Sequence, residues 1–210
     1  MIKVFLSYHH KDRRTAGRVK EYLSPLGMDV FLAHEDLEPS SEWQKEILKG
    51  LKGCGVFIPL LTKNFRSSLW TDQETGIAFA SNKTILPLKV SADPYGFIGK
   101  VQGLSGSLDQ PARVASLLSN TLLSHPATHR NMRRGVASAF ASADSYVNAI
   151  SLSKVIAAVK DFAEDEKALI QRACKENYHV FNATGVVSRV CSAIGMPEPN
   201  KVADAEDIPF

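Results

Sequence analysis

Cysteine is scarce, and its spacing suggests no pairing: Cys54, Cys174 and Cys191 are the only three in 210 residues, far apart and odd in number. No C-x-x-C occurs, so neither a disulfide framework nor a cysteine-based zinc site is expected. A reducing, cytoplasmic setting is the simplest reading. Charge of one sign is also missing. The net charge of +3 is too small to argue for nucleic acid or an anionic membrane surface as a partner. No apolar run approaches the length of a membrane span. The opening run Ile2–Ser7 meets charge at Lys11 and Asp12, so no secretory leader is expected. No internal repeat is visible. What remains, 44% hydrophobic and 22% charged residues, is the composition of a soluble globular chain. Its length suits one large domain, or an ordinary domain with an appendage.

Along the first half, short apolar runs alternate with helical periodicity. Ile2–Ser7 reads as a buried strand, and Ala16, Val19, Tyr22 and Leu23 recur at helical spacing until Pro25 and Gly27. Met28–Leu32 is a second strand. After the polar loop from Ala33 to Ser41, a helix over Glu42–Lys52 carries Trp43, Ile47, Leu48 and Leu51 on one side. Val56–Leu61 is the third strand, and the helix containing Trp70 follows, ending near Ser81–Lys83. Thr84–Val90 gives a fourth strand, with Pro87 predicting irregular or edge-like geometry. A weak fifth strand is placed near Val101, and a helix over Pro111–Leu123 starts with proline in its first turn. Strand and amphipathic helix alternating in this way predict a parallel sheet covered on both faces.

The pattern then changes. Ser124–Thr128 reads as a linker, and the following sequence is helical and rich in Ala and Ser. Met132, Val136 and Phe140 mark one helix, and Ile150–Phe162 another. Asp161-x-x-Glu164 is a candidate capping box. Leu169, Ile170 and Ala173 form one apolar stripe, and Val186–Ile194 another, closed by Gly195 and Pro197. Val180–Phe181 is too short to count as a strand. The expected division is therefore an α/β domain over 1–124, a small helical bundle over 128–196, and a tail over 197–210.

One side chain stands out against this pattern. Glu74 lies one helical turn after Trp70, and Ile77 and Ala78 continue the same face. A carboxylate on an apolar face is costly unless paired, so it either bonds a neighbouring segment or lines a cleft. Open parallel sheets bind ligands beyond the carboxyl ends of their strands, where the winding direction reverses. For a five-stranded flavodoxin-like order, that point lies between the first and third strands. The segments meeting there are Ser7–Asp12 and Thr62–Trp70, and Glu74 is one turn into the helix leaving it.

Val4-Phe5-Leu6-Ser7-Tyr8, the loop around Glu35-Asp36-Leu37-Glu38-Pro39, Trp43 with Ile47, and Trp70-x-x-x-Glu74 together resemble a TIR domain. Asp93–Lys100 and Gln102 resemble the end of standalone bacterial TIR domains, of the Thoeris-like type found in antiphage defence. The resemblance covers roughly residues 1–124. It implies a flavodoxin-like TIR fold and an enzyme that cleaves the nicotinamide–ribose bond of NAD. In this reading NAD is the substrate, and no cofactor or metal is required. Glu74 stands where catalytic members carry an essential glutamate. Ser7, Tyr8 and His9 after the first strand, Asp36 and Trp43 at the second loop, and Trp70 stand at substrate-binding places. Where relatives carry arginines after the first strand this chain has His9 and His10, which implies weaker or pH-dependent phosphate pairing.

The resemblance further implies self-assembly through TIR–TIR contacts, a phage-derived trigger, and a separate effector that responds to an ADP-ribose-derived product. The alternative is a non-catalytic adaptor working by TIR–TIR contact through the Glu35–Ser41 loop. Several of these residues also have a plain structural reading. Glu74 can pair with a neighbouring loop, Trp70 and Trp43 can anchor the core, and His9 and His10 can sit in a solvated loop. The Arg130, Arg133 and Arg134 cluster reads as surface.

Overall fold

Alternation of short, wholly apolar runs with amphipathic helices produces a single parallel sheet. A computed structural model describes residues 1–32, 43–107 and 109–199, apart from the side chain of Trp43. Strands β1 (Ile2–Ser7), β2 (Met28–Leu32) and β3 (Val56–Leu61) are followed by the two-residue strands β4 (Thr84–Ile85), β5 (Leu88–Lys89) and β6 (Leu104–Ser105). Every pairing is parallel, and the order is β2-β1-β3-β5-β6, with β4 also on β3. β4 and β5 are two pieces of one strand line. Val56 faces Thr84 and Leu61 faces Lys89 at an unchanged offset. The break falls at Leu86–Pro87. Pro87 has no N–H to give, but that N–H would face β6, where its carbonyl accepts from the Leu104 N–H at 2.8 Å; β3 is met instead by Leu86, whose N–H donates to the Phe57 carbonyl at 2.9 Å. With that line counted once, the sheet has the expected five strands in flavodoxin-like order. The last strand lies at Leu104–Ser105 rather than Val101, whose N–H is used in a turn to Ile98.

The chain is carried back between strands by α1 (Arg13–Leu23), α2 (Trp43–Gly53) and α3 (Leu69–Ala80), and α4 (Pro111–Ser124) follows the last strand. α1 packs with α4, and α2 with α3, as expected for helices on opposite faces. On the α2 and α3 side, Phe5, Phe57, Ile47, Leu51, Cys54 and Ala78 form one cluster, joined by Phe31 and Ile77. Phe5 lies between Phe31 and Phe57, with ring centroids 5.3 and 5.8 Å away. The alternate residues Val4 and Leu6 point to the other face and are equally buried. All six residues of β3 are buried, which explains its unbroken apolar run.

By compactness the chain forms two units, Met1–Ala139 and Phe140–Phe210, dividing in the last turn of α5 (Pro126–Ala141). The expected linker is reduced to His125 between α4 and α5. The second unit contains α6 (Tyr146–Ala158), α7 (Glu164–Glu176), the single turn α8 (Tyr178–Phe181) and α9 (Val186–Ile194). Its core includes Leu152, Ile156, Ile170, Cys174, Val190 and Cys191. Two expectations need correction. α6 stops at Ala158, not Phe162, and the cap of α7 is not Asp161 with Glu164. Ala163 is the capping residue and has no side-chain acceptor; instead Glu166 reaches back to its N–H at 3.0 Å, giving half a capping box. Val180–Phe181 is helical because Asn177 caps that turn, accepting from His179 N–H and Val180 N–H at 2.9 and 3.1 Å. α9 ends, as expected, on Gly195 in the left-handed region at φ 68. Among the described residues no helix is long and apolar enough to cross a membrane.

Candidate active site

The switch point of the sheet lies where β1 and β3 end, because their loops lead to helices on opposite faces. Ser7, opposite Pro59 in the pairing register, is the last residue of β1. α3 begins after Ser68, whose hydroxyl accepts from Thr71 N–H at 3.4 Å. Thr71 donates to the carbonyls of Phe65 and Ser68, and Thr75 to that of Thr71. These bonds fix the first two turns of α3 against the preceding turn at Phe65–Ser67. They also carry Glu74 into the protein.

Glu74 is 1% exposed. Its Oε2 accepts from the Ser7 hydroxyl at 2.5 Å, and its Oε1 has no partner among the described residues. Burial pushes the carboxyl up to about 7 from its ordinary 4.5, against the hydrogen bond from Ser7, which favours the ionised form. A carboxyl poised near neutrality in an apolar setting, with one oxygen still to be satisfied, suits chemistry at a developing positive centre.

The other expected site residues are placed as follows. Trp70 is half-buried, one turn before Glu74. Ser7 is buried and bonded to Glu74, and Tyr8 is also fully buried, so in this form neither presents a surface to a ligand. His9 is largely buried. Its Nδ1 accepts from Lys11 N–H at 3.1 Å, and its ring lies 4.1 Å from that of His10. Burial, then the neighbouring His10, lowers the pKa of His9, opposed by Asp12. Trp43 is the first residue of α2, and its side chain lies outside the described part; Asp36 lies outside the described residues altogether.

The structure adds a bridge that the sequence reading did not single out. Asp12 accepts from Thr62 Oγ1 at 2.5 Å and from Asn64 Nδ2 at 3.0 Å. The Thr62 hydroxyl in turn accepts from Phe65 N–H at 3.1 Å. The loop after β1 is thereby tied to the loop after β3. An acidic residue just past one strand and a Thr-x-Asn just past another are the only sequence signals for it. On the outer side of α3, Tyr95 donates to Asp72 at 2.5 Å, and Arg66 lies over its ring at 5.1 Å. Burial, then the hydrogen bond to Asp72, raises the Tyr95 phenol well above its usual range.

A cavity of about 1080 Å³ opens at the ends of β5 and β6, lined by Lys89, Ser91, Asp93, Ser107, Arg113 and Asn120 among others. Neither Ser7 nor Glu74 lines it, and Lys89 is already paired with Asp93 at 2.6 Å. The chemistry points to the ends of β1 and β3 rather than to this void. Among the described residues no group of three His, Cys, Asp or Glu side chains could hold a metal ion.

Comparison with known proteins gives a family. The family model described as "TIR domain" matches residues 4–118. Among solved structures, the TIR domain of the Toll-related receptor TRR-2 from Hydra magnipapillata is similar at 17% identity and a TM-score of 0.48. That alignment covers 62% of this chain and 97% of that one. No curated protein matches.

Proposed function

The chain belongs to the TIR domain family, and from that premise we propose that it cleaves the nicotinamide–ribose bond of NAD with Glu74 as the catalytic carboxylate. The observation carrying this reading is the state of Glu74. It is a buried carboxyl held by one oxygen only, one turn after Trp70, at the switch point of the sheet. Breaking the N-glycosidic bond develops oxocarbenium character on the ribose. A carboxylate in a low-dielectric site stabilises that charge more strongly than it would in water. Nicotinamide leaves as a neutral molecule, so no general acid is needed. Water capturing the ribosyl carbon gives ADP-ribose; a nitrogen of the same molecule's adenine gives a cyclic isomer, and another nucleophile a conjugate. Trp70 is assigned as a stacking platform, with His9, Asp36 and Trp43 as further substrate contacts.

A covered Glu74 cannot meet a substrate, so this reading includes an opening step. TIR–TIR assembly is the proposed source of that opening, and a phage-derived component its trigger. The product then acts as a signal read by a separate effector in the cytoplasm of a bacterial cell. These finer assignments rest on the resemblance to standalone bacterial TIR proteins.

The same burial favours a second reading. A carboxylate bonded to Ser7 can simply tie α3 to β1 and leave an adaptor that works through TIR–TIR contact. Nicotinamide release from NAD, measured on assembled full-length protein, separates the two. The enzyme reading expects release by the wild type and its loss in Glu74→Ala. Release that survives Glu74→Ala removes Glu74 from the mechanism. No release by the assembled wild type favours the adaptor.

A further inference from the structure

Ser7 stands at a position where the resemblance implies contact with the dinucleotide, yet its hydroxyl is already committed. It donates to Glu74 Oε2 at 2.5 Å, and both residues are buried, Ser7 at 0% and Glu74 at 1% exposure. A short hydrogen bond to a carboxylate in an apolar surround is among the stronger neutral-to-ion contacts in proteins. Releasing it to serve a substrate would strand a buried oxygen. Glu74 Oε1, by contrast, has no partner among the described residues.

We propose that Ser7 is a positioning residue, acting through Glu74 and not on the substrate: its hydroxyl holds Oε2 and leaves Oε1 as the oxygen that meets the ribose. This rests on the reading of Glu74 as the catalytic carboxylate. Two consequences follow from the geometry. The carboxylate plane is fixed by a strand end rather than by the flexible part of its own side chain, so the group is oriented before the substrate arrives. The hydroxyl also favours the ionised form, because it can donate to a carboxylate.

Among the described residues no other charge takes over that role. β3 carries no titratable side chain, and neither does the turn Gly96–Ile98 packed on α3. On β1, Lys3 is exposed at the opposite end of the strand. On α3 itself Asp72 is bonded by Tyr95, with Arg66 over the Tyr95 ring. On α2, Glu46 pairs with Lys49 at the surface. Beyond Ser7, Asp12 is tied to Thr62 and Asn64, and His9 to the Lys11 backbone. Among the described residues, the influences on Glu74 are burial and Ser7.

The test is a carboxyl titration of full-length protein carrying carbon-13 in its glutamate side chains, with the Glu74 signal identified by its loss in Glu74→Gln. Ser7→Ala is expected to move the Glu74 midpoint up by about one pH unit, and Ser7→Thr to keep it near the wild-type value. Ser7→Cys, a weaker donor, falls between, and it supplies the answer if the alanine variant does not fold. An unchanged midpoint in Ser7→Ala or Ser7→Cys overturns the proposal, whether or not the protein turns over NAD. Activity adds a second readout. The acid limb of nicotinamide release moves to higher pH in Ser7→Ala, with KM unchanged and most of kcat recovered above the new midpoint. An equal loss of kcat at every pH marks a merely structural role and also overturns it. A shifted midpoint in a protein that releases no nicotinamide upholds the Ser7–Glu74 coupling and counts against the NAD reading alone.

Discussion

Ser7 and Glu74, 67 positions apart in sequence, share one buried hydrogen bond of 2.5 Å that joins the end of β1 to the second turn of α3. The bond does not remove the cost of ionising Glu74 inside the protein. Folded Glu74 releases its proton near 7, whereas an unfolded glutamate does so near 4.5. Between those values the folded chain binds more protons than the unfolded one, so stability falls as pH rises through that window. Glu74→Gln cannot ionise and escapes the loss. Chemical denaturation at about pH 5 and about pH 8 should show the variant gaining on the wild type by about 2 kcal/mol. A gap that stays constant between the two pH values would contradict the burial of an ionisable Glu74.

The Asp12 bridge makes a second, independent prediction. Its two oxygens satisfy Thr62 and Asn64, and Thr62 in turn accepts from the Phe65 backbone. Asp12→Ala removes a charged acceptor from a half-buried site and should cost about 1–3 kcal/mol in unfolding free energy. Because Thr62→Val breaks the same contact from the other side, the two losses should fall well short of adding in the double variant. Fully additive losses would mean that the loops are held by something else.

Much of this architecture was legible in the sequence, for a plain reason. Strands buried on both faces need unbroken apolar runs, and Val56–Leu61 and Val4–Leu6 supply them; helices covering the sheet need one apolar stripe each. The odd placement of Glu74 was legible too, since helical spacing alone puts it between Trp70 and Ala78. Its partner was not. Nothing local sets the last residue of β1 against the second turn of α3; that depends on the sheet order and on how α3 packs. The same holds for Asp12 with Thr62. Local misreadings have local causes. Asp161-x-x-Glu164 has the right spacing for a capping box, but α6 ends early and Glu166 takes the role. Pro87 interrupts its strand line with its missing N–H on the β6 side, where its carbonyl still pairs with Leu104, while Leu86 keeps the β3 side bonded through Phe57.

Thiol chemistry gives a third prediction. Cys54, Cys174 and Cys191 are all free and buried. Burial raises each thiol, that of Cys174 to about 12 with its neighbour Cys191 adding to the effect. Thiolate is the reactive form, so native protein should react slowly with an aromatic disulfide reagent at neutral pH. Full denaturation should expose 3 reactive thiols. A fast-reacting thiol in the native state would show that one of these sites opens readily.

The sharpest contrast is between two helical glycines of the first unit. A Cβ on Gly135 in α5 would lie 2.5 Å from the carbonyl oxygen of Gly27 and 3.6 Å from Met1 Cα, all backbone atoms with no side chain to yield. Gly27 is itself in the left-handed region at φ 85, where a Cβ would come within 2.3 Å of the Gly135 carbonyl. The two backbones touch, and neither position has room for a methyl group. Gly135→Ala should therefore cost at least about 2–3 kcal/mol. Gly76, in the interior of α3, has nothing within 4 Å of its Cβ position. There alanine relieves the entropy cost of glycine in a helix, and Gly76→Ala should gain up to about 1 kcal/mol. Urea midpoints for the two variants should move in opposite directions from the wild type. If Gly135→Ala matches the wild type, the close approach of α5 to the turn at Gly27 does not exist in solution.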